Sequence, residues 1–216
     1  MRTVMSPPPR VREQRVVMNQ VSWETYEGLL AANMDASSPR LTYDQGTLEI
    51  MSPSIEHEKL KEALATIAEL VAEEKEIEFE KLGSATFRRQ DFERGAEPDA
   101  CFYVQSVERI RGKREIDLVV DPPPDLVIEV EITSPALSKL PVYALLGVPE
   151  IWLTDGQGVR ILQLAAGEYK SSERSQVLPP LTDSVLWEFL EQSKTLTMLA
   201  WRRLVRDWAR ERSTQG

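Results

Sequence analysis

The segment Asp125-Leu126-Val127-Ile128-Glu129-Val130-Glu131-Ile132-Thr133 sets two acidic residues inside an otherwise apolar run. Rich in β-branched residues and opened by Pro122-Pro123-Pro124, it reads as a buried strand. Side chains alternate across a strand, so Leu126, Ile128, Val130 and Ile132 share one face. Val127, Glu129 and Glu131 project together from the other. An unpaired buried carboxylate is costly, so the second face needs compensation. A hard cation held between neighbouring carboxylates supplies it. A wet or salt-bridged face supplies it equally well.

A chain of 216 residues suits one domain of ordinary size with a full core. With 42% hydrophobic and 28% charged residues it is a globular sequence, and no run approaches the ~18 apolar residues of a membrane span. The start is not that of a signal peptide, because Pro7-Pro8-Pro9 and arginines fall where an apolar segment should be. A single cysteine, Cys101, excludes an internal disulfide framework and fits a reducing, cytoplasmic setting. The net charge of −9 argues against non-specific coating of nucleic acid, though not against a compact basic groove. One histidine, His57, leaves multi-histidine or cysteine zinc sites unavailable. Hydrolytic chemistry here must run on carboxylates, a lysine and a metal.

Residues 1–20 read as a loose N-terminal arm, residues 21–192 as the main domain, and residues 193–216 as a C-terminal helix. Ser22 caps a helix over residues 23–32. Asp44-Gln45-Gly46 turns a hairpin between residues 40–43 and 47–51. Leu60, Leu64, Ile67, Leu70 and Val71 recur at helical spacing, which predicts an amphipathic helix to about Lys75. Strands are expected at 77–81, 85–89 and 97–104, then a polar connection and the strand at 125–133. A short helix at 138–146 precedes strands at 150–154 and 159–164, with an edge at 168–170. Two helices close the chain, and on the last Leu199, Leu204, Val205 and Trp208 form a face for packing or for a dimer. The order of elements implies a mixed α/β (α+β) domain with one central sheet flanked by helices.

A second acidic strand start, Glu97-Pro98-Asp99-Ala100-Cys101-Phe102, places Glu97, Asp99 and Cys101 on one face. If it pairs with the strand at 125–133, Asp99 and Glu129 lie side by side at the ~4.8 Å strand spacing. Such carboxylates suit phosphodiester hydrolysis, where oxygen ligands fix Mg²⁺ and the ion polarises the phosphate. Lys139, beside the acidic strand, is the nearest ammonium for the developing charge.

These residues resemble the PD-(D/E)XK nuclease superfamily, and more closely its Uma-type restriction endonuclease family. The matching phrases are Met51-Ser52-Pro53-Ser54 with Glu56-His57-Glu58, then Gly83-Ser84 with Thr86-Phe87. After them come Glu97-Pro98-Asp99-Ala100-Cys101-Phe102, Pro124-Asp125-Leu126-Val127-Ile128-Glu129, and Tyr143 with Gly147-Val148-Pro149-Glu150-Ile151-Trp152. The resemblance covers residues 40–165. It implies a restriction-endonuclease-like fold, Mg²⁺ (or Mn²⁺) on Asp99 and Glu129, and cleavage of DNA. The superfamily's lysine belongs two residues after the glutamate, where this chain has Glu131. Either Glu131 becomes a third ligand and Lys139 the displaced ammonium, or the site is catalytically weak. His57 falls where superfamily members often place another acid, or else only packs at the helix start. Glu97 is a supporting partner or a strand-entry charge, Glu49 a structural residue, and Cys101 a small buried thiol.

The candidate site is therefore Asp99, Glu129, Glu131, Lys139 and His57, with DNA as partner and a two-fold homodimer as the expected assembly. The competing reading is an inactive nuclease fold kept as a binding or assembly module. A glycosidase is disfavoured because Glu129 and Glu131 lie on one side of any ligand instead of flanking it.

Overall fold

In the computed structural model, which describes residues 13–33, 38–83, 85–133, 135 and 137–212, the acidic strand is the middle of a six-stranded sheet. The first twelve residues of the expected arm, Ser84 and residues 213–216 lie outside the described set. In chain order the elements begin with β1 (Gln14–Met18), α1 (Trp23–Ala32), β2 (Arg40–Asp44), β3 (Thr47–Ser52) and α2 (Ile55–Glu74). Next come β4 (Glu80–Lys81), β5 (Phe87–Arg89), β6 (Arg94–Ala96), β7 (Ala100–Tyr103), α3 (Val107–Ile110) and β8 (Leu126–Val130). The last are α4 (Leu140–Leu146), β9 (Glu150–Thr154), β10 (Val159–Ala165), β11 (Glu168–Ser172), α5 (Asp183–Ser193) and α6 (Met198–Glu211).

The larger sheet runs β11-β10-β9-β8-β7-β4, with β8 and β9 parallel and every other pair antiparallel. The parallel pair is joined by α4, the crossover that parallel neighbours require. All five residues of β8 are buried, as a strand covered on both faces must be. On one face Ala100, Phe102, Leu126, Ile128, Val130 and Trp152 meet the apolar stripe of α2, including Leu64, Ile67 and Val71. On the other, Cys101, Tyr103, Val127, Ile151 and Leu153 pack against Val142, Tyr143 and Leu146 of α4.

The expected single central sheet is divided in two. The hairpin β2–β3 joins a second, antiparallel sheet in the order β1-β3-β2-β6-β5. Its turn is the two residues Gln45 and Gly46, at φ 45° and 91°. Both positive angles belong to the tight turn that matches the twist of a hairpin, and glycine takes the larger one without strain. Tyr26 of α1 stacks on Tyr43 with ring centroids 4.8 Å apart, and this aromatic pair anchors the small sheet's own core.

Two sequence expectations change. Residues 14–18, read as part of a loose arm, pair antiparallel with β3 from Gln14↔Ser52 to Met18↔Leu48. Most of β1 is solvent-exposed, so no apolar alternation marked it, and its order comes from backbone pairing. The C-terminal helix packs by the apolar face expected of it: Val205 is fully buried, and Leu204 and Trp208 pack on the core shared with α2 and α5. Leu199 stays exposed. The strand expected at 77–81 shortens to Glu80–Lys81.

Candidate active site

Asp99 and Glu129 come together through strand register. β7 and β8 pair antiparallel with Ala100↔Ile128, Cys101↔Val127 and Phe102↔Leu126. One further step brings the Asp99 backbone, just before β7, alongside Glu129. The Val130 backbone N–H donates to Asp99 Oδ2 at 2.7 Å, which ties the aspartate to the end of β8. Both carboxylates are buried, Asp99 at 1% exposure and Glu129 at 3%.

Each is compensated by protein cations and donors. Lys139 Nζ lies 2.9 Å from Glu129 Oε2 and 3.1 Å from Oε1, and it also donates to the Glu97 carbonyl at 2.9 Å. The Tyr143 hydroxyl donates to Glu129 Oε1 at 2.5 Å. Lys139 and Tyr143 are four residues apart at the start of α4, one turn on the same helix face, so both reach one carboxylate. Burial, and then the charge of Glu129, push the Tyr143 phenol well above its ordinary range, so it stays a donor.

Asp99 Oδ1 faces the guanidinium of Arg40 on β2 and, at 2.9 Å, Nε2 of His57. His57 is held at the start of α2, where its backbone N–H donates to the capping Ser54 Oγ at 3.2 Å. Its other ring nitrogen, Nδ1, lies 2.6 Å from Glu13 Oε1. Arg40 continues to Glu58 Oε1 at 3.0 Å. Burial raises the Glu13 carboxyl, but hydrogen bonds from His57, Thr133 and Arg15 outweigh it and hold it at about 2. Glu58 is also lowered: burial opposes, and the Lys61 hydrogen bond and the Arg40 charge prevail.

Glu97 supports the site from behind. Its carboxylate accepts from the Leu41 N–H at 2.6 Å and from Thr86 Oγ1 at 2.8 Å, binding the segment before Asp99 to β2 and to the approach of β5. Cys101 is fully buried and its thiol is pushed up to about 12 by burial, which makes it a packing residue.

Glu131 departs from expectation. It lies just past β8, half-buried, with its backbone N–H on the Thr154 carbonyl at 2.8 Å. Burial and then repulsion from Glu129 raise its carboxyl, and Lys139, Arg15 and Arg160 only partly offset them. The expected trio of Asp99, Glu129 and Glu131 does not close into a cage. Among the described residues no three His, Cys, Asp or Glu side chains gather as a metal-holding group. The reason is local: Asp99 is drawn to Arg40 and His57, Glu129 to Lys139 and Tyr143, and Glu131 sits beyond the paired strand.

By donor chemistry Asp99 and Glu129 are oxygen ligands of the kind a hard divalent cation takes. Asp99 Oδ1, buried beside Arg40 and His57 but without a hydrogen bond of its own, is the oxygen open to such an ion. Of the surrounding residues, Tyr143 was legible through its four-residue spacing from Lys139. Arg40, Glu13 and Arg15 carried no signal in the sequence, because their roles depend on the pairing of the small sheet.

A family model described as "Uma2: Putative restriction endonuclease" matches residues 23–196. Among solved structures, the chain is similar to "a putative nuclease belonging to DUF820" from Anabaena variabilis, with a TM-score of 0.52 and 19% identity. The match covers 79% of this chain and 99% of that one, and at this identity it speaks to the fold. A search of curated proteins found no match.

Proposed function

Since the chain belongs to the Uma2 family of restriction endonucleases, we propose that it hydrolyses DNA phosphodiester bonds with a divalent ion held by Asp99 and Glu129. One observation carries this reading: two buried carboxylates, Asp99 and Glu129, stand at neighbouring backbone positions beside the β7–β8 pair, with an ammonium 2.9 Å from one of them. When bound, Mg²⁺ or Mn²⁺ supplies Lewis-acid polarisation of the phosphate and a water acidic enough to react near neutral pH. The chain's own residues do the rest. Glu129 is fixed by Tyr143 and cannot swing away from the strand. Lys139, with its ammonium 2.9 Å from Glu129, would stabilise the charge that develops on the phosphate oxygens. Asp99 would offer Oδ1 to such an ion, its Oδ2 being held by the Val130 N–H. Glu131 adds negative potential at the rim of the same face.

The test is nicking of supercoiled plasmid in Mg²⁺ or Mn²⁺ by wild type, Asp99→Ala and Glu129→Ala. Cleavage by wild type alone is the expected result. Equal nicking by all three removes these residues from the mechanism. A second reading, a nuclease fold kept as a binding module, draws on the protein partners the acids already have: Glu129 has donors on both oxygens, and Asp99 has the Val130 N–H on Oδ2 and the Arg40 and His57 ion pairs at Oδ1. Calorimetry separates the two, because an inactive module takes up no Mg²⁺ or Mn²⁺ saturably.

A further inference from the structure

The candidate site is completed by a segment ahead of the family match, which begins at residue 23. Glu13 and Arg15 reach inward from β1, an otherwise exposed edge strand, and the Glu13 side chain is only 1% exposed. Glu13 divides its oxygens between the two halves of the site. Oε1 meets His57 Nδ1 at 2.6 Å, and His57 Nε2 meets Asp99. Oε2 accepts from the Thr133 hydroxyl and from Arg15 Nη2 at 3.1 Å. Arg15 in turn reaches Glu49 Oε1 at 2.5 Å, and Glu49 Oε2 accepts from the Leu137 N–H at 3.2 Å, two residues before Lys139. One buried network therefore touches both the Asp99 arm and the connection that delivers Lys139.

We infer that Glu13 is a positioning residue of this site, orienting His57 so that His57 holds Asp99 in line with Glu129. The inference rests on the reading of Asp99 and Glu129 as the metal-holding pair. The physical reason is that Asp99 sits at the frayed end of β7, just outside the ladder. Its carboxylate direction is set by its donors and not by strand pairing. Imidazole has two stiffly related ring nitrogens, so fixing Nδ1 fixes where Nε2 points. Without Glu13, the ring turns about its side-chain bonds and Asp99 loses a fixed partner at Oδ1.

The experiment uses the full chain labelled with ¹⁵N, where the single histidine gives ring resonances free of overlap. Glu13→Gln keeps the shape and removes the charge. Thr133→Val removes the opposite support and guards against a folding defect in the first variant. In both, at a temperature where each variant is still fully folded, His57 ring resonances shift before any metal is added. Mg²⁺ affinity and kcat for plasmid nicking then fall by about 10- to 100-fold for Glu13→Gln, the usual effect of losing such a support, with KM for DNA unchanged. Thr133→Val shows the same changes to a lesser degree. Mg²⁺ affinity unchanged or tighter in Glu13→Gln, yet lost in Asp99→Asn, overturns the inference and leaves the metal-site reading intact. Absence of saturable Mg²⁺ uptake by the wild type overturns both.

Discussion

Lys139 Nζ stands 2.9 Å from Glu129 Oε2 with both groups almost wholly buried, so the charge of the central strand is balanced by the N-cap residue of the next helix. Removing one partner of such a pair strands the other charge in a low-dielectric interior. Lys139→Met is expected to destabilise the fold by about 3 kcal/mol, measured by urea unfolding, and to abolish cleavage. The double variant Lys139→Met with Glu129→Leu should regain most of the stability and none of the activity. A single variant as stable as wild type would contradict the pairing.

Tyr143 gives Glu129 a hydrogen bond from a fully buried hydroxyl. Tyr143→Phe keeps the ring packing and leaves one carboxylate oxygen short of a donor. A loss of about 1.5–3 kcal/mol is expected, the range for hydrogen bonds to charged groups, with a lower kcat. Denaturation curves and single-turnover nicking check it.

Glu13 carries a carboxyl lowered from 4.5 to about 2 in the folded chain. A depressed acid contributes stability that is complete above its unfolded value and disappears as pH falls through the folded one. The stability difference between wild type and Glu13→Gln should therefore be constant near neutrality and shrink between about pH 4.5 and about pH 2. Thermal melts across that interval decide the matter, and a pH-independent difference would refute the assignment.

Cys101 is buried with its thiol pushed up to about 12. A thiol reagent should leave the native protein unlabelled and react stoichiometrically once denaturant is added. Fast labelling of the folded chain would mean that the face beneath Asp99 is open.

Trp201 on α6 is 1% exposed and donates its indole N–H to the Phe189 carbonyl at 2.8 Å. Trp201→Ala should cost about 3–5 kcal/mol, as for any large aromatic removed from a core. An effect near zero would return α6 to the status of an appendage.

The strands and helices that build the large sheet were readable because their chemistry is periodic. The stripe of α2 and the alternation around Glu129 each follow from residue spacing, and the nearness of the Asp99 and Glu129 backbones needed only the pairing of β7 with β8. What could not be read is long-range and polar. Arg40 reaches Asp99 because β2 and β6 pair, and Glu13 reaches His57 because β1 lies on β3. Neither pairing leaves a trace in hydrophobic pattern, since β1 is exposed and its register is set by backbone bonds. Glu131 misled for a related reason: period-two alternation continues to Thr133, yet the strand itself stops at Val130.

The edge position of β1 has a practical corollary for anyone trimming this protein. A version starting at residue 23 would retain every position the family model recognises. It would also uncover the outer backbone groups of β3 and strip the imidazole of its acidic neighbour. Inactivity of that shortened form would report a missing brace, and not a missing nuclease.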